Sequence, residues 1–126
     1  MEQNMVAWFE IPVTNMDRAK AFYESVFKID IKVEDFGGTL MGWFPSAIGK
    51  PGAMGSLVKN EAYIPSDTHG ALVYFGSNDV ADELSRVETS GGYVLQDKTQ
   101  ISPEIGFMAL FKDTEGNRIA LYSEPI

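Results

Sequence analysis

Glu10 is the side chain best placed to do chemistry. It follows Trp8 by two positions in the run Met5 to Val13, where Ala7, Phe9, Ile11 and Val13 alternate with Val6, Trp8, Glu10 and Pro12. Period-two alternation marks a strand with one face on a core, so Trp8 and Glu10 share the other face. A carboxylate in partly apolar surroundings has its pKa raised and can act as a general acid or base. The same group could hold a cationic ligand, pair with Arg118, or sit at an interface rim. His69 is the only histidine. Imidazoles change charge near neutral pH, but this one follows the polar run Ser66-Asp67-Thr68 at the start of a strand, which favours a surface or strand-edge role. With one histidine and no cysteine, the chain cannot build a two- or three-histidine metal site, a zinc–thiolate centre, a disulfide or a thiolate nucleophile. A metal held by Glu10 and His69 would be an unusual site and is disfavoured.

The elements that must position these residues read clearly along the chain. Thr14 is a fitting N-cap for a helix, with Asp17 completing a capping box. Met16, Ala19, Phe22, Tyr23, Val26 and Phe27 recur at helical spacing and Lys28 suits the helix end. Strands are predicted over Ile29–Phe36, Thr39–Phe44 and Gly52–Lys59, with a turn at Gly37-Gly38 and a loop over Pro45–Pro51. Asn60 to Thr68 is a connector. The order then repeats. A strand holds Ala71, Val73 and Phe75; Asn78-Asp79 opens a helix with Val80, Leu84 and Val87 on its apolar stripe; Gly91-Gly92 ends it. Strands follow at Tyr93–Lys98, Gly106–Lys112 and Arg118–Glu124, the last two joined by the hairpin Asp113–Asn117, whose residues are those a tight turn wants. Counting Val13 against Ser77, the repeat is offset by 64 residues. The fold expected is α+β: one domain over residues 1–126, made of two βαβββ units at approximately 1–62 and 68–126. Each helix covers its own sheet, and the free faces curve around a cup-shaped cavity. Tyr63–Asp67 and Gly49–Gly52 are loops that could gate it.

Composition narrows the function classes. The 126 residues include Lys+Arg 10 and Asp+Glu 18, a net charge of −8, with 44% hydrophobic and 22% charged residues. These proportions suit a globular domain and exclude disorder, collagen and coiled coil. An acidic chain without a Lys/Arg cluster argues against nucleic acid and anionic membranes as partners. No apolar run approaches the ~20 residues of a spanning helix. The start Met1-Glu2-Gln3-Asn4 lacks the basic and apolar regions of a secretion signal. A cytoplasmic location is expected.

Trp8-Phe9-Glu10-Ile11-Pro12-Val13 followed by Asp17-Arg18-Ala19-Lys20-Ala21-Phe22-Tyr23, and Phe111-Lys112-Asp113-Thr114-Glu115-Gly116-Asn117-Arg118-Ile119, resemble the opening strand, "RAxxFY" helix and "DPxGN" hairpin of the vicinal oxygen chelate superfamily. That superfamily holds glyoxalase I, bleomycin-resistance proteins and extradiol dioxygenases. The resemblance covers nearly the whole chain, and in closer detail the chain is similar to small bacterial glyoxalase-like proteins. The family's enzymes hold a divalent metal with four side chains from four strands. Carried over residue by residue, those positions fall on Trp8, on Ser56 or Met54, on Leu72 and on Ala120. None offers the carboxylate or imidazole that such metals need. No metal and no other cofactor is therefore expected, and glyoxalase I or dioxygenase chemistry does not carry over.

The resemblance also places Trp8, Leu72, Tyr74, Tyr122 and Arg118 on the cavity face, with Glu10, Trp43, Ser56 and Ala120. Aromatic walls with a few polar groups describe a small-molecule site; large side chains could equally have filled it. Three readings remain open. The chain sequesters a small organic molecule in an aromatic cup, with the acidic charge favouring a cationic one. Or it is a metal-independent lyase or isomerase with Glu10 as base and Tyr74 or Tyr122 as hydrogen-bond donor. Or it is a ligand-free structural dimer. Each sheet has edges that need covering, and the resemblance implies a homodimer, side by side or with units exchanged.

Overall fold

The alternating run at the start of the chain forms strand β1 (Trp8–Pro12) in a computed structural model that describes residues 4–47 and 49–126. Ile48, in the loop expected over Pro45–Pro51, and Met1-Glu2-Gln3, on which the absence of a secretion signal was read, lie outside the described residues. Helix α1 (Met16–Phe27) follows, then β2 (Lys32–Phe36), β3 (Thr39–Trp43) and β4 (Met54–Lys59). The second unit runs β5 (Val73–Ser77), α2 (Val80–Val87), β6 (Tyr93–Ser102), β7 (Gly106–Lys112) and β8 (Arg118–Ser123). Each unit makes a four-stranded sheet, in the orders β1-β4-β3-β2 and β5-β8-β7-β6. The two βαβββ units of the α+β reading are present, and the 64-residue offset holds in detail. The helices start at Met16 and Val80, and Met54–Lys59 corresponds to Arg118–Ser123.

Local chemistry explains where these elements depart from the expectation. Asn15, not Thr14, caps α1: its backbone is extended and its side chain accepts the Arg18 N–H at 3.0 Å. The capping box with Asp17 is not needed, because Glu115, far along the chain, accepts the N–H groups of Thr14 and Asn15 at 2.9 and 2.8 Å. Lys28 ends the helix through a left-handed turn (φ 58°), its N–H returning to the Glu24 carbonyl. Glu24 also accepts the Ile31 N–H at 2.8 Å. That ties down the segment after the helix, so β2 starts only at Lys32 while Ile31 turns into the core. Strand β6 runs four residues beyond the expected Lys98. Register shifts at three places along its pairing with β7 break the alternation that would have shown it.

One apolar cluster joins the units. Ile11, Val13, Met16, Phe22, Tyr23, Val26, Leu57, Val80, Val87, Phe111 and Leu121 are all buried within it. The helices contact each other, α1 lies on β3 and β4, and α2 lies on β6, β7 and β8. Each helix covers its own sheet as expected, but α1 also reaches the second sheet: Phe22 packs on Phe111 and Tyr23 on Phe75. Among the described residues no helix is long and apolar enough to cross a membrane.

Candidate functional site

Two strand faces carry the residues singled out by sequence. In the first sheet Ile11 and Leu57 point into the core, and a β-carbon on Gly42 would lie 3.0 Å from Met16 Sδ on α1. Residues one position away therefore face the opposite side. The register sets Glu10 beside Ser56 and Ser56 beside Trp43, so Trp8, Glu10, Ser56 and Trp43 share the face turned away from the helices. The indoles of Trp8 and Trp43 meet edge to face, with ring centroids 5.1 Å apart. Ser56 is fully buried, and its hydroxyl is the one buried side-chain polar atom without a partner among the described residues. A buried, unpaired hydroxyl costs about 1–3 kcal/mol, so the position asks for a partner.

Glu10 is more open to solvent than the pocket expected for a general base. It does not pair with Arg118; Tyr63 donates its hydroxyl to Oε1 at 2.6 Å and Trp8 Nε1 approaches Oε2 at 3.3 Å. The hydrogen bond to Glu10 and its negative charge raise the Tyr63 phenol above its ordinary value. Tyr63 was visible in sequence as part of a connector and of a loop that could gate the cavity. Nothing in local spacing reports a contact made across 53 positions.

The second sheet presents the matching face. Tyr74 pairs with Ala120, and Ala120 with Leu110. Ala120 is buried and Tyr74 is half exposed at 52%. Tyr122 donates its hydroxyl to the Ile105 carbonyl at 2.5 Å, so that donor is already committed. Leu72 immediately precedes β5, half-buried. Arg118 is exposed and makes no ion pair among the described residues. The spaces between the units gather only parts of the expected set. A cleft of about 240 Å³ is lined by Glu10, His69 and Arg118 over a floor of Ile11 and Ile119. A cavity of about 300 Å³ at the other end includes Met54 and Tyr74. His69 is exposed, as expected, with Nδ1 held 2.8 Å from Thr68 Oγ1. Its place beside Glu10 at the cleft was not visible in sequence.

Ser56 lies opposite Glu10 as Ala120 lies opposite Tyr74, whereas Met54 lies opposite Trp8; of Ser56 and Met54, Ser56 is therefore the one equivalent to Ala120, in a set with Trp8 and Leu72. An indole, a hydroxyl, an isobutyl group and a methyl group do not fit a divalent metal. Among the described residues no three His, Cys, Asp or Glu side chains gather to hold one.

Known proteins share this architecture. A glyoxalase I variant from Zea mays superposes with a TM-score of 0.71 at 20% identity, covering 93% of this chain and 46% of the maize chain; the chain spans about half the length of that enzyme. An antibiotic binding protein from Streptomyces sp. CB03234 superposes with a TM-score of 0.68 at 23% identity, covering 98% of both chains. A glyoxylase-like domain-containing protein from Didymella fabae is 28% identical over 123 residues, 95% of this chain and 94% of its own length. The model of the Glyoxalase/Bleomycin resistance protein/Dioxygenase superfamily matches residues 5–121, and with the paired βαβββ units it shows that the chain belongs to that superfamily.

Proposed function

We propose that the protein binds a small planar organic molecule on the Trp8–Trp43 face of its first unit, without a metal. The observation that carries this reading is the unpartnered Ser56 hydroxyl on the strand face that also carries two indoles in edge-to-face contact. A flat ligand that parted the indoles would stack on them, and a polar atom of it reaching Ser56 would supply the missing hydrogen bond. Glu10 beside the indoles and a net charge of −8 favour a cation, by cation–π and Coulomb attraction together. The antibiotic binding protein of the same fold supports a binding role. The working form is a homodimer, since β1, β2, β5 and β6 all end their sheets as edges and β6 exposes Tyr93, Leu95 and Ile101; sedimentation at micromolar concentration tests it, and a monomer would refute it.

Quenching of tryptophan emission by three tricyclic probes tests the site: proflavine (cationic), acridone (neutral) and anthracene-9-carboxylate (anionic). Proflavine is expected to bind tightest and the anion weakest. Glu10→Gln should narrow that order, and Trp43→Ala should weaken proflavine by roughly tenfold or more, about 1.4 kcal/mol. Equal affinity of the wild type for all three, or no loss in Trp43→Ala, would refute the reading. The Tyr63–Glu10 hydrogen bond of 2.6 Å favours one alternative, a metal-independent lyase or isomerase with Glu10 as base and Tyr63 as the adjacent proton donor. Turnover of a bound compound that Glu10→Gln abolishes would establish it; turnover unchanged in Glu10→Gln would remove Glu10 from the role.

A further inference from the structure

We infer that the seam between the two units holds a second, independent site for a neutral aromatic molecule of two to three rings. Phe9, Phe27, Phe44 and Phe75 come from four different elements or their flanks and line one cavity of about 300 Å³. Their rings pack in a chain, Phe27 to Phe75 at 4.9 Å, Phe44 to Phe75 at 5.3 Å and Phe9 to Phe44 at 5.7 Å. All four are only half-buried and sit at the margin of the core. Nothing in the lining is charged. The one side chain there with a hydroxyl is Tyr74, half exposed. The cavity's space is about twice the ~150 Å³ of engineered apolar cavities that hold benzene, and it is open on one side to a ligand. A charged ligand would lose its hydration with no counter-charge in return, which selects a neutral one; the Tyr74 phenol can serve a single polar atom on it.

Two glycines shape the cavity. At Gly55 a β-carbon would strike the Phe9 ring at 2.5 Å, so glycine lets Phe9 lie flat on β4. At Gly76, in β5, no heavy atom lies within 4 Å of where a β-carbon would sit, and the backbone is not left-handed. Gly76 is thus not required by sterics or strain, and the open space beside it borders the cavity. The inference does not rest on the Trp8–Trp43 reading, since neither indole lines this cavity.

Titration with N-phenyl-1-naphthylamine, a neutral fluorophore that brightens and shifts blue in apolar surroundings, tests it. The wild type should bind one probe per chain, saturably. Gly76→Leu, whose side chain occupies the open space, should weaken binding at least roughly tenfold with an unchanged thermal melt, and Gly76→Ala should fall between. Absence of saturable binding to the wild type, or equal binding by Gly76→Leu, overturns the inference. So does loss of a dimer together with probe binding in Gly76→Leu by sedimentation, which would assign the cavity to contact with a second copy. If Gly76→Leu does not fold, unchanged affinity in Gly76→Ala overturns it and a graded loss supports it.

Discussion

Replacing Glu115 in the Asp113–Asn117 hairpin should cost stability, and the cost should fall away in acid. Its side chain is buried, and its two oxygens are surrounded by donors from the other unit. Oε1 accepts the Thr14 and Asn15 N–H groups and the Thr14 hydroxyl, and Oε2 accepts Arg18 Nε at 2.7 Å. Burial alone would push the carboxyl up; the Arg18 hydrogen bond and the two backbone N–H groups outweigh it and hold the pKa at about 2, from an ordinary 4.5. At about 1.4 kcal/mol for each tenfold change in proton affinity, that is about 3 kcal/mol. Arg18 is half exposed, so solvent screening lowers the expected contribution to about 2 kcal/mol. Because the folded-state pKa is depressed, this stability is present in full above about pH 4.5 and is lost as pH falls through about 2. Urea unfolding of Glu115→Gln should therefore show about 2 kcal/mol less stability at pH 7 with an unchanged slope. The difference from wild type should shrink steadily below about pH 4.5. A difference under about 0.5 kcal/mol at pH 7, within the range of ordinary surface changes, or one that persists undiminished at about pH 2, would refute the argument.

Tyr23→Phe removes the 2.6 Å donor to Asp113, a carboxyl that burial already pushes up against the bonds from Tyr23 and Asn117; urea unfolding should show a loss of about 1–3 kcal/mol. Gly92→Ala would place a β-carbon 2.6 Å from the Phe22 ring and 2.7 Å from the Lys112 carbonyl, so overpacking should lower stability by about 1–3 kcal/mol in the same assay. Exhaustive chelation should leave the thermal midpoint and proflavine binding unchanged, and elemental analysis should find no stoichiometric divalent metal, because the four strand positions supply no ligands.

Periodicity made most of the fold legible. Alternation identified β1, the apolar stripe identified α1, and the 64-residue offset identified the paired units. What sequence could not show are the contacts that cross between units. The Asp113–Asn117 hairpin reads as a tight turn, and it is one. Yet Asp113, Glu115 and Asn117 are buried, and together they receive Tyr23, cap α1 and donate to the Pro12 carbonyl at 2.7 Å. Turn chemistry and inter-unit clasp use the same residue types, so composition cannot tell them apart. The site was half legible for the same reason. The face shared by Trp8 and Glu10 follows from alternation, whereas Ser56 was named only with Met54, through the family resemblance. The Tyr63 contact and the Phe9–Phe27–Phe44–Phe75 group depend on how distant segments meet.

The duplication also explains why one unit is the better binding candidate. At equivalent places 64 residues apart, the first unit carries Trp8, Glu10 and Ser56 and the second carries Leu72, Tyr74 and Ala120. Structural needs are the same in both: the N-caps are Asn15 and Asp79, and both helices cover their sheets. Packing alone therefore gives no reason for the first face to hold a carboxylate and a buried hydroxyl where the second manages with a phenol and a methyl group. The polar groups cost stability there, through the unpaired Ser56 hydroxyl. A cost borne in one copy of a repeat and avoided in the other supports the binding site proposed on the first face.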